Sequence, residues 1–209
     1  MTAAGSTPER AQVVQKMWND EVAGDEVAPV KWAPAGRTWS SGDPERLAAS
    51  FELMSVILDG AGLTDVLGRV ATNARAMARA RLAFIALPQD DPNLLRVEIA
   101  VGDDGDRVLG LTVRRGRSMI GRVFATRRAL SARVAVDQAL TGLPAGPILL
   151  LPLETGEATR GVLAVVGRPG DLPLSASVTR NLALFAGMAA TLIELAEERR
   201  AADRTAEMR

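Results

Sequence analysis

The side chains of this chain that could do chemistry are mainly arginines and carboxylates, because the sequence contains no histidine, no cysteine and no tyrosine. Their absence removes Ser-His-Asp and Cys-His nucleophiles, imidazole and thiolate metal ligands, and disulfides. General acid–base chemistry would fall to Asp, Glu and two lysines, Lys16 and Lys31. We therefore expect a protein that is not an enzyme and that has neither a cofactor nor a metal site.

The arginines are concentrated between residues 107 and 133, where no acidic residue interrupts them. The eight are Arg107, Arg114, Arg115, Arg117, Arg122, Arg127, Arg128 and Arg133. They could form a solvated surface, clamp an anionic ligand through Arg114 or Arg122, or meet the acidic face of a partner. Nucleic acid is not expected, because Phe124 is the only aromatic residue in this stretch and the whole chain has 25 basic and 25 acidic side chains.

Two glycine- and aspartate-containing loops superficially resemble ligand-binding motifs. Gly116 and Gly121 have the spacing of a phosphate loop, but Arg-Val follows where such a loop needs Lys and Ser or Thr, so we predict a tight turn into a helix. The run Asp103-Asp-Gly-Asp106 lacks the closing glutamate of a calcium loop and is interpreted as a turn.

The elements that must position these residues are organised around two apolar runs, Ile148 to Leu151 and Val162 to Val166. Apolar runs of this length predict buried strands, and the polar turn between them predicts an antiparallel hairpin. Further strands are predicted at Leu82–Leu87, Leu94–Val101 and Val108–Val113, with a short helix over 116–128. Helices are predicted over 43–59, after Thr64 and from Ser175 almost to the C-terminus. The order indicates an α+β fold: an antiparallel sheet with helices segregated to its faces, the long N- and C-terminal helices packed on one face.

The composition predicts three segments. Residues 1–42 form an arm or linker with one short helix, 43–200 form the domain, and 201–209 are the charged end of the last helix. The arm contains all three tryptophans, Trp18, Trp32 and Trp39. Their rings either pack on the domain's own surface or dock another chain.

Residues 44–200 resemble a GAF domain. The resemblance rests on Leu63-Thr-Asp-Val-Leu-Gly-Arg-Val before the first strand, on the glycine-bracketed Arg115-Gly-Arg-Ser-Met-Ile-Gly121, and on the hairpin from Pro147 followed by Leu174-Ser175. It is nearest to the second GAF domain of sensor histidine kinases that carry tandem GAF domains. The residues with which GAF domains hold haem or bilin, or reduce methionine sulfoxide, are His and Cys, which this chain lacks.

The resemblance implies a sensory or regulatory module, with a small molecule held between the sheet and the 116–126 helix. The candidate ligand residues are Phe84, Arg114, Met119, Ile120 and Phe124. The apolar members of this set could equally be core filling.

Two heptad-like seams predict a homodimer through the terminal helices. They comprise Leu47, Phe51, Met54 and Leu58 on the first helix and Leu182, Phe185, Ala189 and Leu192 on the last. An alternative function is a ligand-free scaffold for dimerisation and protein interaction that docks a signalling protein through the tryptophan arm. We expect a cytoplasmic chain with no membrane span, because Met1 is followed by neither a signal peptide nor a long uninterrupted apolar run.

Overall fold

The computed structural model describes residues 43–58, 60–156 and 158–207. Four α-helices lie within these ranges: α1 Asp43–Leu58, α2 Leu63–Ala78, α3 Met119–Thr126 and α4 Ala176–Glu207. Short 3-10 helices occupy Gly105–Arg107, Val134–Val136 and Gln138–Leu140. The tryptophan arm lies outside the described residues, and the division of the chain at residues 42 and 200 stays a prediction.

The sheet has six strands in the order β3-β2-β1-β6-β5-β4, and each paired neighbour is antiparallel. The strands are β1 Leu82–Pro88, β2 Leu94–Gly102, β3 Thr112–Arg114, β4 Leu130–Arg133, β5 Pro147–Thr155 and β6 Ala158–Val166. The predicted α+β class is confirmed, and the predicted hairpin is β5 with β6. Because β3 and β4 are opposite edges, the connection that contains α3 crosses one whole face of the sheet.

The predicted strand over Val108–Val113 is wrong in its first half. The chain turns after the 3-10 helix Gly105–Arg107, and Val108 is buried in that turn rather than paired in the sheet. Only Thr112–Arg114 form β3, which pairs with the first three residues of β2. The Asp-Gly turn extends further into the sequence than alternation alone indicates.

The strands β1, β5 and β6 are buried on both faces over most of their length. Their alternating side chains belong to two separate cores. On β1, Ala83, Ile85 and Leu87 join the core beneath α2 and α4. Leu82 and Phe84 join the opposite core, beneath α3 and the loops that flank it. The helices α2 and α4 lie directly on the sheet, whereas α1 packs on the outer side of these two helices through the buried Ala49 and Leu53.

By length and composition alone, Ala176–Ala202 of α4 could cross a membrane. The packing accounts for this hydropathy, because Leu182, Phe185 and Ala189 are fully buried against the sheet side of the domain. From Glu198 onwards, the side chains that the structure describes are exposed.

Candidate functional site

The helix α3 begins where Ser118 caps it, with its hydroxyl oxygen accepting the Gly121 N–H at 3.0 Å. Its apolar side chains Met119, Ile120 and Phe124 all turn towards the sheet and reach the core that contains Phe84. All four are at most 7% exposed. The structure therefore brings together four of the five predicted ligand residues and packs them as core. The fifth, Arg114, is exposed on the edge strand β3.

The glycine that follows Ile120 lets α3 lie directly on the turn before it. A Cβ at Gly121 would stand 2.1 Å from the carbonyl oxygen of Arg114, whereas a Cβ at Gly116 would meet nothing in the described chain within 4 Å. Gly116 instead supplies backbone with a φ of +76°. The two glycines thus make a tight turn into a helix, as the sequence predicted, and not a phosphate cradle.

The N-terminal end of α3 is fastened by Asp137, which sequence reasoning missed. Its carboxylate is 5% exposed and accepts the Met119 N–H at 2.7 Å and the Ala139 N–H at 2.9 Å. It therefore satisfies helix-terminal N–H groups that would otherwise be buried without an acceptor. The only sequence signal for it is an aspartate that directly precedes the short turn Gln138–Leu140.

The C-terminal end of α3 is fastened by Arg127, which adopts a left-handed conformation with a φ of 60°. Its guanidinium donates to Glu154 Oε1 at 3.2 Å and to the carbonyl oxygen of Gly156 at 2.7 Å. Both acceptors lie at the tip of the β5–β6 hairpin. The helix is thus tied at one end to the 3-10 segment at Asp137 and at the other to the hairpin.

The remaining arginines of the 107–133 stretch do not converge on one point. Arg107 pairs with Asp104 and donates to the carbonyl oxygen of Gly142, and the Arg115 guanidinium lies 5.5 Å from the centre of the Phe124 ring. Arg122 on α3 is half-buried. A further four are exposed and make no ion pair within the part of the chain that the structure describes: Arg114, Arg117, Arg128 and Arg133.

The predicted dimer seam on the last helix is corrected by the structure. Leu182, Phe185 and Ala189 are 0% exposed and Leu192 is 8% exposed, so these four residues are core and offer no surface to a second chain. The 4-3 spacing that suggested a seam is also the spacing of a helix stripe that lies on a sheet. On α1 the outcome differs: Phe51 and Met54 are exposed, Leu47 is half-buried, and the side chain of Leu58 lies outside the described set.

A different stripe of α4 carries the exposed apolar side chains. Leu184 and Leu195 are 47% and 42% exposed, with the half-buried Met188 and the exposed Thr191 between them. Their spacing of 4, 3 and 4 residues places the four on one side of the helix. Together with Phe51 and Met54, this stripe holds four of the six large apolar residues that are exposed in the described part of the chain.

A charged contact joins the sheet to α4. The Arg160 guanidinium of β6 pairs with Glu194 and lies 3.4 Å from Glu197 Oε2. Burial raises the pKa of the Glu197 carboxyl, the neighbouring Arg160 lowers it, and the nearby Glu194 carboxylate raises it further. The net direction is upward, so this carboxyl holds its proton more strongly than a free glutamate does.

Two surface cavities lie on the α2 side of the domain. An open groove of about 520 Å³ follows Thr64, Gly68 and Thr72 of α2 beside Val101 of β2. A crevice of about 360 Å³ lies between the start of α2, the β1–β2 turn and Arg200 of α4. Among the residues that the structure describes, no group of three acidic, histidine or cysteine side chains is placed to hold a metal ion.

A family model described as "GAF domain" matches residues 63–195, well over half of the chain. The chain belongs to the GAF domain family. GAF domains are sensory and regulatory modules that are generally non-catalytic and typically soluble and cytoplasmic. No curated protein matches this chain by sequence.

Solved structures agree with this assignment. The second GAF domain of DevS from Mycobacterium smegmatis is 26% identical, with a TM-score of 0.59 over 66% of this chain and 98% of that one. This similarity confirms the predicted likeness to a second GAF domain. The GAF domain of a phosphoenolpyruvate-protein phosphotransferase from Coxiella burnetii is 15% identical, with a TM-score of 0.64 over 78% of this chain and 99% of that one, and so shows the fold alone.

Proposed function

We propose that this chain is a non-catalytic GAF-type regulatory module that acts as a homodimer through the outer faces of α1 and α4. One observation carries the proposal: four of the six exposed large apolar side chains of the described residues lie on these two helices. A concentration of exposed apolar side chains on two helices that contact each other is typical of an interaction surface.

A second copy suits this surface because both contributing elements are helices that pack against each other. The 32 residues of α4 extend over about 48 Å, and Leu184, Met188, Thr191 and Leu195 form the seam that a helical bundle requires. Two-fold symmetry would place the same stripe on both sides of the interface. This seam lies on a different side of α4 from the predicted seam, because the residues of the predicted seam are buried in the core.

The test is the mass of the full-length chain in solution, by light scattering after size exclusion. We expect twice the 22.1 kDa chain mass for the wild type and the single mass for the double variant Phe51→Glu/Leu184→Glu with unchanged circular dichroism. Leu172→Glu is the matched control, because Leu172 is 84% exposed but precedes α4. A monomeric wild type, or a double variant that stays dimeric, would overturn the proposal.

We also propose that a small apolar molecule binds between the sheet and the 116–126 helix by displacing side chains that fill this space in the described structure. Phe84, Met119, Ile120 and Phe124 already face one another there, and methionine adapts readily to a new neighbour. The helix above them is held at its ends by polar contacts of Asp137 and Arg127. Native mass spectrometry of the protein purified from its own host should show an added, removable mass. A dimer mass with nothing added would contradict ligand binding while leaving the dimer proposal untouched.

A signalling protein partner remains the third part of the proposal. Its support is the sequence of the arm alone, where Trp18, Trp32 and Trp39 are separated by polar and proline-containing stretches. Deletion of residues 1–42 should remove binding to such a partner and leave the domain folded. A loss of the thermal unfolding transition on deletion would mean that the arm belongs to the core.

A further inference from the structure

Two arginines connect the β5–β6 hairpin to helices on opposite faces of the sheet. Arg127, at the end of α3, reaches Glu154 Oε1 at 3.2 Å and the Gly156 carbonyl oxygen at 2.7 Å. Arg160, on the hairpin itself, reaches Glu194 and Glu197 of α4. The hairpin therefore lies between two helices that cover different faces of the sheet and share neither core.

Arg160 reaches α4 because of a β-bulge. Leu153 pairs with Gly161 and Glu154 pairs with Thr159, so Arg160 is the extra residue on β6. Strict alternation from Val162 and Ala164 would direct residue 160 towards α3, whereas a bulge re-aims its side chain. The Arg160 Nε also donates to Thr155 Oγ1 at 3.3 Å, which orients the guanidinium across the hairpin.

The base of the bulge has little freedom to move sideways. A Cβ at Gly161 would stand 2.6 Å from the carbonyl oxygen of Ala86 on β1 and 2.7 Å from Leu87 Cδ2. The strand is thus pressed against β1 immediately beyond Arg160. The strand position next to Arg160 is therefore fixed by its packing on β1, whereas the described residues of the hairpin tip beyond the bulge have no such contact with β1.

The ion pairs that connect the hairpin to α3 and to α4 are partly exposed to solvent, so they can open without unfolding the domain. The side chains of Arg127 and Glu154 are 39% and 33% exposed, and those of Arg160 and Glu194 are 30% and 29% exposed. Ion pairs with this much solvent access are individually weak. They can be made and broken while the two apolar cores stay intact.

We propose that the hairpin tip couples α3 to the exit helix α4, through the bridge from Arg127 to Glu154 on one side and from Arg160 to Glu194 and Glu197 on the other. Loosening α3 frees the hairpin tip and loosens the middle of α4, and the reverse holds equally, because coupling between two sites is reciprocal. The inference goes beyond the proposed function, since it requires neither a dimer nor a ligand.

Hydrogen–deuterium exchange of the full-length chain tests the coupling. In Arg127→Gln we expect the exchange rate of the α4 peptide covering residues 190–200 to rise about threefold. This factor is the change in the opening equilibrium that the loss of one partly exposed ion pair produces. Arg128→Gln is the control, because Arg128 is exposed and has no partner in the described chain. A peptide from β1 reports global unfolding and should not change.

The reverse experiment uses Glu194→Gln, with the exposed Glu198→Gln as its control. Exchange at the end of α3, residues 123–127, should rise by the same factor. In the double variant Arg127→Gln/Glu194→Gln the increase in α4 should be smaller than the product of the two single effects.

An Arg127→Gln effect confined to α3 and the hairpin, or equal to that of Arg128→Gln, would overturn the inference. If Arg127→Gln also raises exchange in β1, the experiment is repeated with Glu154→Gln. This variant removes the ion pair but leaves the hydrogen bond from Arg127 to Gly156. A rise in α4 exchange without a rise in β1 exchange then supports the coupling, and no rise in α4 overturns it.

Discussion

The neighbouring residues Leu184 and Phe185 of α4 provide a direct measurement of how this helix is oriented. Phe185 is 0% exposed within the core shared by α1, α2, α4 and the sheet, whereas Leu184 is 47% exposed. Phe185→Ala removes a fully buried ring and leaves a cavity, which costs about 3–5 kcal/mol. Leu184→Ala removes a half-exposed side chain from the monomer surface, and the expected change is within about 0.5 kcal/mol.

Urea unfolding followed by circular dichroism, with the protein held at one concentration, measures both values. With a slope of about 2 kcal/mol per molar urea, Phe185→Ala should lower the midpoint by roughly 1.5–2.5 M and Leu184→Ala by less than about 0.3 M. At concentrations where the proposed dimer forms, Leu184→Ala also loses dimer stabilisation, so the comparison is made at the lowest concentration that gives a signal. Equal shifts, or a larger shift for Leu184→Ala, would refute the placement of α4.

Three further predictions concern other packed positions. Gly161→Ala should destabilise the domain by about 1–3 kcal/mol in urea unfolding, because its Cβ would overlap the Ala86 carbonyl. Gly187→Ala is the control: a Cβ there meets no described residue within 4 Å, so this variant should stabilise the domain by about 0.5–1 kcal/mol. Asp137→Ala should cost about 1–3 kcal/mol in the same assay, since two N–H groups lose their acceptor, and an unchanged midpoint would show that water replaces it. The pKa of Glu197 is raised, so the fold disfavours its ionised form and the stability falls as the pH rises through that pKa. Glu197→Gln should flatten this part of the pH profile of Tm. An unaltered profile would assign the pH dependence to other groups.

The strands were the most predictable part of the fold, because their apolar runs have few alternative structures. Leu82–Leu87 is a strand within one residue of the expected bounds, whereas the strands around the two other runs each extend four residues further into the expected polar turn, to Thr155 and from Ala158. The turn after Asp103 was less predictable: a 3-10 helix forms at Gly105–Arg107, and the three turn residues that follow it replace the first half of the expected strand. Local hydrogen bonds of the turn outweigh the β propensity of Val108.

The surface of α4 was not predictable from spacing alone. The stripe of Leu182 and Phe185 and the stripe of Leu184 and Leu195 both follow heptad-like steps, and only the packing tells which one the sheet covers. Phe185→Asp, which the sequence-based seam predicts to dissociate a dimer, is therefore expected to prevent folding, because it would bury an unpaired charge.

The polar residues of the candidate site were the hardest to find. Asp137 acts on α3 across a separation of 18 residues, and no periodic pattern connects the two. Arg160 points to α4 only because of a bulge, which inverts the side expected from alternation. Predicted ligand residues such as Ile120 and Phe124 were correctly placed together, but their side chains fill the space between helix and sheet.

The strand order has a consequence for how the chain reaches its native state. The sheet consists of two three-stranded meanders, β1-β2-β3 and β4-β5-β6, and they join only where β1 pairs with β6 from Leu82–Val166 to Ala86–Val162. Closing a loop of this length costs entropy before the β1–β6 contacts form, so we expect docking of the two meanders to be the slow step of folding. During synthesis on the ribosome, one edge of the wholly apolar β1 would remain unpaired until β6 has been synthesised. The helix α4 follows β6 in the sequence and would cover the shared core last.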